Sequence, residues 1–285
     1  MSIQTLISQT QLQAALGQPR WRIFDCRFDL ADPARGQRDY EQGHIPGALY
    51  AHLDHDLSDP ITPCSGRHPL PDRDRLRTWL GQCGVTTTTQ VVAYDSSGGS
   101  MAVRLWWLLR WLGHDAVAVL DGGWPAWVAA ELPISTQVPQ PESTVVFPAQ
   151  SALETRIQTA DIEQQLAQER DDLLLLDVRT GERFRGEIEP IDPVAGHIPG
   201  ATNLPLQNNL AADGLFKPAA ELRAMYLSAL NGHDPANVAV MCGSGVTACH
   251  SLLAMAIAGL HGARLYDGSW SEWIRDPARP IASGG

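Results

Sequence analysis

One loop of the sequence combines a nucleophile with a backbone suited to holding anions. It follows the apolar run Val238–Met241 and reads Cys-Gly-Ser-Gly-Val-Thr-Ala from Cys242 to Ala248. Such a run predicts a buried strand, so Cys242 stands at a strand's carboxyl end, where open α/β sheets place their sites. The glycines let backbone N–H groups turn inward, and the helix that follows presents its positive end. A cysteine in this position is expected to form a reactive thiolate.

Two kinds of chemistry suit a thiolate in such a loop. Cysteine phosphatases need an arginine six residues after the nucleophile to grip the oxyanion, and Ala248 occupies that position here. Sulfur transfer, in which the thiolate takes up a sulfane sulfur as a persulfide, needs N–H donors but no such arginine. The sequence therefore favours sulfur transfer over phosphoryl transfer. The predicted substrate-binding positions of the loop are Gly243, Gly245, Val246, Thr247 and Ala248.

The elements that must position this loop belong to an internal repeat. Three blocks recur in the same order: Ile23–Arg27 as Leu175–Arg179, Gly43–Ala48 unchanged as Gly196–Ala201, and Leu120–Trp127 as Tyr266–Trp273. The offsets between the copies stay near 150 residues, about the size of one domain. Two homologous domains are therefore expected rather than a solenoid of short repeats.

Each half of the chain has the pattern of an α/β domain. The predicted interior strands are Arg22–Asp25, Val91–Tyr94, Ala116–Leu120, Leu173–Asp177, Val238–Met241 and Ala263–Tyr266. Helices are predicted over Ala102–Leu112 and Ala248–Leu260. Strands that alternate with helices indicate a mostly parallel sheet flanked by helices in each domain. The predicted limits are residues 1–137 and 158–285 for the domains, with a proline-containing linker at 138–157.

Composition narrows the possible function classes. Of the 285 residues, 44% are hydrophobic and 19% are charged, which is typical of a folded protein. The net charge of −11 predicts little affinity for nucleic acid or anionic lipid. We find neither an apolar leader nor a run long enough to span a bilayer, so a cytoplasmic location is expected. The odd number of cysteines, without a CxxC pair, argues against a disulfide framework and structural zinc. The cysteines are Cys26, Cys64, Cys83, Cys242 and Cys249.

The repeated GHIPGA block, the CGSGVTAC loop and the closing YDGSWSEW together resemble the tandem-domain sulfurtransferases of the rhodanese family. That resemblance covers essentially the whole chain. It implies two rhodanese-like domains, a persulfide on Cys242, and no metal or organic cofactor. Asp95 stands in the first domain where Cys242 stands in the second. A carboxylate cannot carry sulfur, so the first domain is expected to be inactive.

The resemblance also implies roles for individual residues. Ser244 matches the serine of a Cys–Ser–Asp relay in the mercaptopyruvate enzymes, and its aspartate maps to Asp54. Arg183 matches an arginine that binds the substrate anion. The mercaptopyruvate enzymes carry a second arginine about nine residues later, but this sequence reads Glu-Pro-Ile-Asp-Pro there. Arg185 is the candidate replacement.

The sulfur donor stays open between thiosulfate and 3-mercaptopyruvate. Gly243 and Ser244 are typical of the mercaptopyruvate enzymes, whereas the missing second arginine weakens that assignment. The expected partners are a small-molecule sulfur donor and a cyanide or thiol acceptor, with neither nucleic acid nor membrane. The rival function is a binding module without activity. The sequence assigns no role to Cys64, Cys249 or His68, and no oligomeric state.

Overall fold

The computed structural model describes residues 2–139, 144–170 and 172–284. The chain forms two compact units, which are described separately. The first unit comprises Met1–Asp59, Leu70–Glu154 and Asp213–Leu215. The second unit comprises Pro60–Pro69, Thr155–Ala212 and Phe216–Gly285. A ten-residue segment from the first half of the sequence, Pro60–Pro69, therefore belongs to the second unit.

The first unit is built on a five-stranded parallel sheet with the strand order β1-β5-β4-β2-β3. Its strands are β1 (Leu6–Ile7), β2 (Trp21–Asp25), β3 (Ala48–Tyr50), β4 (Gln90–Tyr94) and β5 (Val117–Leu120). Its helices are α1 (Gln9–Ala15), α2 (Arg35–Gln42), α3 (Arg73–Gln82), α4 (Ala102–Trp111) and α5 (Gly123–Ala129). The inner strands β4 and β5 are buried along their whole length, as expected for a parallel sheet covered on both faces.

The second unit repeats this architecture with the strand order β6-β10-β9-β7-β8, again all parallel. Its strands are β6 (Arg156–Ile157), β7 (Leu174–Asp177), β8 (Thr202–Asn203), β9 (Val238–Met241) and β10 (Arg264–Tyr266). Its helices are α6 (Thr159–Ala167), α7 (Gly181–Phe184), α8 (Ala219–Leu230), α9 (Ala248–Ile257) and α10 (Ser269–Trp273), with short 3-10 turns at Leu206–Asn209 and Pro235–Asn237. The two sheets are equivalent strand for strand.

The structure confirms the predicted fold class. The six predicted strands are present, each within one residue of the predicted limits. The helix predicted over Ala248–Leu260 ends earlier, at Ile257, and Gly259 follows in the left-handed conformation (φ 70°) that often terminates a helix. The four edge strands were not predicted because they are two or three residues long, too short to show an apolar pattern.

A buried ion pair fixes the repeated GHIPGA turn in each unit. Arg179 donates from Nη2 to Asp177 at 2.6 Å and to the carbonyl of Gly196 at 2.8 Å. Its guanidinium lies 4.8 Å from the ring centroid of Trp270. Arg27 makes the equivalent contacts in the first unit. Because both units share this arrangement, we interpret the ion pair as a structural support of the turn.

The predicted linker spans residues 138–157. Residues 140–143 lie outside the described residues, and β6 occupies the last two positions of the linker. The predicted domain limits, 1–137 and 158–285, stay predictions.

Candidate active site

Cys242 lies directly after β9, at the carboxyl end of the sheet in the second unit. The residue is 2% exposed. Its N–H donates to Ser269 Oγ at 3.1 Å, and its carbonyl accepts from the N–H of Trp270 at 3.1 Å. The carbonyl of Gly243 accepts from the N–H of Ser271 at 2.9 Å. The first turn of α10 thus fixes the backbone on both sides of the nucleophile.

Gly245 makes the tight turn of the loop possible. Its φ of 75° lies in the left-handed region, which favours glycine. A β-carbon at this position would lie 2.3 Å from the carbonyl oxygen of Asp267. Both the conformation and the close approach therefore require glycine between β9 and α9.

The corresponding loop of the first unit shows how this fold surrounds an anion. Asp95 follows β4, and its Oδ1 accepts from the N–H groups of Ser97 at 2.8 Å and Gly99 at 2.9 Å. Its Oδ2 accepts from Met101 at 2.7 Å and Ala102 at 2.8 Å. One carboxylate thus collects four backbone donors, which include the first N–H groups of α4.

The second unit has a loop in the same place, between β9 and α9, with Cys242 where the first unit has that carboxylate. This loop is one residue shorter, because six residues separate Asp95 from α4 and five separate Cys242 from α9. Its backbone N–H groups and the first turn of α9 follow Cys242 directly. The loop between β9 and α9 is therefore suited to a thiolate or to a negatively charged sulfur attached to it. The substrate-binding roles predicted for the loop stay predictions.

Ser244 has a titratable partner that the sequence did not assign. Its Oγ lies 2.7 Å from Nδ1 of His68. Both residues are buried, at 7% and 5% exposure. A hydroxyl and an imidazole at this distance can exchange a proton.

The Pro60–Pro69 segment, which contributes His68, is anchored in the second unit. The N–H of Arg67 donates to Ser271 Oγ at 3.0 Å. The guanidinium Nε of Arg275 donates to the carbonyl of Ser65 at 3.1 Å. These bonds hold the segment against α10, the same helix that fixes the backbone of the nucleophile.

Two guanidinium groups meet at the residue that follows the nucleophile. A β-carbon added to Gly243 would lie 3.0 Å from Nη2 of Arg67. It would lie 3.6 Å and 3.7 Å from the two Nη atoms of Arg183. Arg183 therefore lies beside the nucleophile loop, and Arg67 joins it there. The sequence analysis did not identify Arg67.

Carboxylates balance these two cations. Arg183 donates to Glu189 at 2.7 Å and 3.1 Å and to Asp192 at 3.3 Å, while Arg67 pairs with the other oxygen of Asp192. Burial raises the pKa of Asp192 above its usual range, and the positive charge of Arg67 opposes that shift. Burial also acts on Glu189, but the hydrogen bond from Arg183 and those from backbone N–H groups outweigh it and hold its pKa below the usual range.

The contacts of two further predicted site residues, Arg185 and Asp54, involve other groups. Arg185 pairs with Glu187 at 2.7 Å and is 39% exposed, whereas the side-chain atoms nearest to a β-carbon on Gly243 belong to Arg67 and Arg183. Asp54 belongs to the first unit, where its N–H donates to Nδ1 of His52 at 3.1 Å. The roles given to Arg185 and Asp54 stay predictions.

The other four cysteines lie in different environments. Burial raises the pKa of Cys26, and it raises the pKa of Cys83 to about 12. Cys249 is buried in α9 and donates to the carbonyl of Gly245 at 3.5 Å, and Cys64 is exposed. All five cysteines are free thiols.

The part of the chain that the structure describes contains neither a metal-binding cluster nor a membrane-spanning helix. No group of three or more His, Cys, Asp and Glu side chains in residues 2–139, 144–170 and 172–284 could hold a metal ion. Within the same ranges, each helix is either too short or too polar to cross a bilayer.

Comparison with known proteins agrees with the duplicated fold. Residues 8–130 and 159–276 each match the rhodanese-like domain family. A probable 3-mercaptopyruvate sulfurtransferase from Pseudomonas aeruginosa is 47% identical, over 100% of both chains. A putative thiosulfate sulfurtransferase, SseB from Mycobacterium tuberculosis, is 40% identical over 99% of this chain and 98% of its own.

A solved structure gives the same result. The crystal structure of SseA from Escherichia coli, described as a 3-mercaptopyruvate sulfotransferase, is 29% identical and superposes with a TM-score of 0.79. The match covers 93% of this chain and 98% of that one. With two matching domains, two equivalent sheets and relatives aligned from end to end, the chain belongs to the tandem rhodanese-like sulfurtransferases.

Proposed function

We propose that this sulfurtransferase moves a sulfane sulfur from 3-mercaptopyruvate or thiosulfate to a thiol or cyanide through a persulfide on Cys242. One observation carries the proposal: Cys242 occupies the position at which the first unit holds an anion among four backbone N–H groups. The printed names of the full-length relatives support the same reaction class.

The first half-reaction loads the enzyme. The Cys242 thiolate attacks the terminal sulfur of the donor and forms the S–S bond of the persulfide. With 3-mercaptopyruvate the C–S bond breaks, its electron pair passes to carbon, and the proton of the donor thiol ends on that carbon to give pyruvate. With thiosulfate the S–S bond of the donor breaks and sulfite leaves with the electron pair. The loop N–H groups stabilise the negative charge on sulfur.

The second half-reaction unloads the enzyme. Cyanide attacks the outer sulfur and leaves as thiocyanate, or a thiol takes that sulfur and becomes a persulfide itself. Either route returns the electron pair of the S–S bond to Cys242, which is again a thiolate. The chemistry is thus a double displacement on a covalent intermediate, and the proposal needs no bound cofactor.

Ser244 and His68 can move the proton that the mercaptopyruvate reaction transfers. Their 2.7 Å contact joins a hydroxyl two residues after Cys242 to an imidazole, a group that can accept or release a proton. In this proposal Arg183 orients the donor anion. Asp54 is the predicted third member of the relay.

The net charge of the side chains near Gly243 favours 3-mercaptopyruvate over thiosulfate as the donor. Three arginines and three carboxylates form one network there: Arg67, Arg179, Arg183, Asp177, Glu189 and Asp192. Their formal charges cancel. Thiosulfate brings two negative charges to this network, whereas mercaptopyruvate brings one carboxylate. The carboxylates of the network therefore repel bound mercaptopyruvate less than bound thiosulfate.

A paired steady-state assay tests the function and the donor preference together. Thiosulfate with cyanide and 3-mercaptopyruvate with a thiol are compared at matched concentrations, with Cys242→Ser as the blank. We expect turnover with both donors, a larger kcat/KM for mercaptopyruvate, and none above background for the variant. A larger value for thiosulfate would reverse the donor preference. Turnover retained by Cys242→Ser would disprove the mechanism.

The proposal also covers partners and location. The expected partners are the small-molecule donor and acceptor, and the acidic composition disfavours nucleic acid and anionic membranes. A cytoplasmic location stays a prediction from the sequence. The rival binding module and the cysteine phosphatase both predict no sulfur turnover in the assay above.

A further inference from the structure

We propose that Arg67 is a donor-binding residue that sets substrate specificity by supplying, together with Arg183, the second guanidinium for the donor anion. The inference rests on the proposed function and identifies a residue that neither the repeat nor the sequence motifs indicated. It assigns the Pro60–Pro69 segment a role in recognising a carboxylate or a comparable oxyanion.

The stretch about nine residues after Arg183 contains no arginine. The mercaptopyruvate enzymes that the sequence resembles have a second arginine in this stretch, whereas this chain reads Glu-Pro-Ile-Asp-Pro over residues 189–193. The side chain of Asp192 within it is 3% exposed, so the stretch contributes a buried carboxylate. The carboxylate pairs with Arg67. Arg67 thus brings a second guanidinium to the loop that follows Cys242, from a different segment of the chain.

The position of Arg67 is fixed rather than adventitious. Its backbone N–H is bound to Ser271 Oγ, its Nη1 is held by Asp192, and its side chain is 21% exposed. Its Nη2 lies closer to a β-carbon on Gly243 than either Nη of Arg183 does. A larger residue at Gly243 would have to displace this guanidinium.

One edge of the guanidinium is left for a ligand. Arg67 Nε is buried and has no hydrogen-bond partner among the residues that the structure describes. Nε and Nη2 form the side-on edge of an arginine, whose two parallel N–H groups match the two oxygens of a carboxylate. A buried N–H without an acceptor is unfavourable, and a bound carboxylate would satisfy it. The unmet donor thus lies on the edge that faces away from Asp192.

Asp192 competes with the donor in this arrangement. Its carboxylate holds one side of Arg67 and also lies 3.3 Å from Arg183 Nη2. Removal of that negative charge strengthens the attraction of both guanidinium groups for a donor anion, and removal of Arg67 weakens it. Variants at the two positions should therefore shift donor affinity in opposite directions. A salt bridge with a purely structural role predicts shifts in the same direction.

The test measures KM and kcat for 3-mercaptopyruvate in four variants. We expect Arg67→Gln to raise KM about tenfold with a smaller change in kcat, as for a lost charge-assisted hydrogen bond to a substrate. Arg67→Lys keeps the charge without the fork and should raise KM less. Asp192→Asn should lower KM. Arg170→Gln changes an exposed arginine paired with Asp172 and is the matched control.

Several results would overturn the inference. Unchanged KM in both Arg67 variants would do so, as would a rise in KM in Asp192→Asn that matches the rise in Arg67→Gln. Melting temperatures identify any variant that fails to fold, and Arg67→Lys keeps the test valid if Arg67→Gln does. Failure of the proposed function itself looks different, because the wild-type protein would then show no turnover with either donor.

Discussion

A serine in an unusual conformation holds the backbone of the nucleophile. Ser269 has a φ of 53°, in the left-handed region that non-glycine residues rarely adopt. The equivalent residue of the first unit is Gly123, with a φ of 55°. The serine hydroxyl accepts from the N–H of Cys242 and donates to the carbonyl of Tyr266 at 2.9 Å. The second unit thus tolerates backbone strain at a position where its side chain supports the catalytic loop.

Two variants of Ser269 separate the strain from the hydrogen bond. Ser269→Ala keeps the strained backbone and leaves the buried N–H of Cys242 without its acceptor, so we expect a loss of about 1–3 kcal/mol of stability. Ser269→Gly removes the strain, which offsets about 1–2 kcal/mol of that loss. Both variants should accept sulfur from the donor more slowly than the wild type. Melting curves and single-turnover rates are the measurements, and a wild-type rate in Ser269→Gly would contradict this role.

Single residues differ in how far the sequence could predict them. Cys242 and Ser244 follow from a motif, because a strand, a glycine loop and a helix position each residue by local geometry. His68 and Arg67 could not be predicted, because the segment that contains them has no periodic pattern. The contact between His68 and Ser244 spans 176 residues of sequence. Only the tertiary structure shows that this segment reaches the nucleophile loop.

At the scale of elements, the same succession of strand, loop and helix occurs twice, as β4–α4 and as β9–α9. In the β4–α4 copy the anion is the Asp95 carboxylate, which belongs to the chain itself. In the β9–α9 copy the equivalent position is Cys242. The duplication explains why one half is expected to be inactive although its fold is intact. Under the proposed function, the loop after β9 holds a transient anion where the loop after β4 holds the Asp95 carboxylate.

Removal of the permanent anion tests the anion-binding capacity of this unit. Asp95→Ala leaves four backbone N–H groups without their acceptor, so we expect a lower melting temperature. Added sulfate should raise the melting temperature of Asp95→Ala more than that of the wild type, because the ion can occupy the vacated loop.

The comparison with wild type is needed because sulfate stabilises most proteins by exclusion from their surface. Asp39→Asn, which changes a partly exposed carboxylate on α2 that pairs with Arg35, is the control for altered net charge. Equal responses of Asp95→Ala and the wild type to sulfate would contradict an anion-binding loop.

The interior strands can be predicted from the sequence and the edge strands cannot, and this difference has a physical reason. Interior strands such as β4 and β9 are buried along their whole length and are therefore mostly apolar, and this composition is visible in the sequence. Edge strands such as β6 and β8 contain two residues each, and their pairing with a neighbour defines them rather than their own composition. The site depends on the interior strands, and the loop that follows β9 was therefore predictable.

At the scale of the whole molecule, the internal repeat predicts two domains of the same type, and the two equivalent sheets agree with it. The repeat carries no signal for the Pro60–Pro69 segment, which groups with the second unit although the sequence places it in the first half. Long-range packing decides that grouping. Through this segment the catalytic unit gains His68 and Arg67, which its own half of the sequence does not supply.

The most direct test of the account is the intact mass of the protein after treatment with donor and removal of the excess. Treatment with 3-mercaptopyruvate or thiosulfate should add about 32 Da, one sulfur atom, and cyanide or dithiothreitol should reverse the gain. Cys64→Ser, which removes an exposed thiol, should gain the same mass, and Cys242→Ser should gain none. The absence of any gain in the wild type, or a gain that persists in Cys242→Ser, would contradict a persulfide on Cys242.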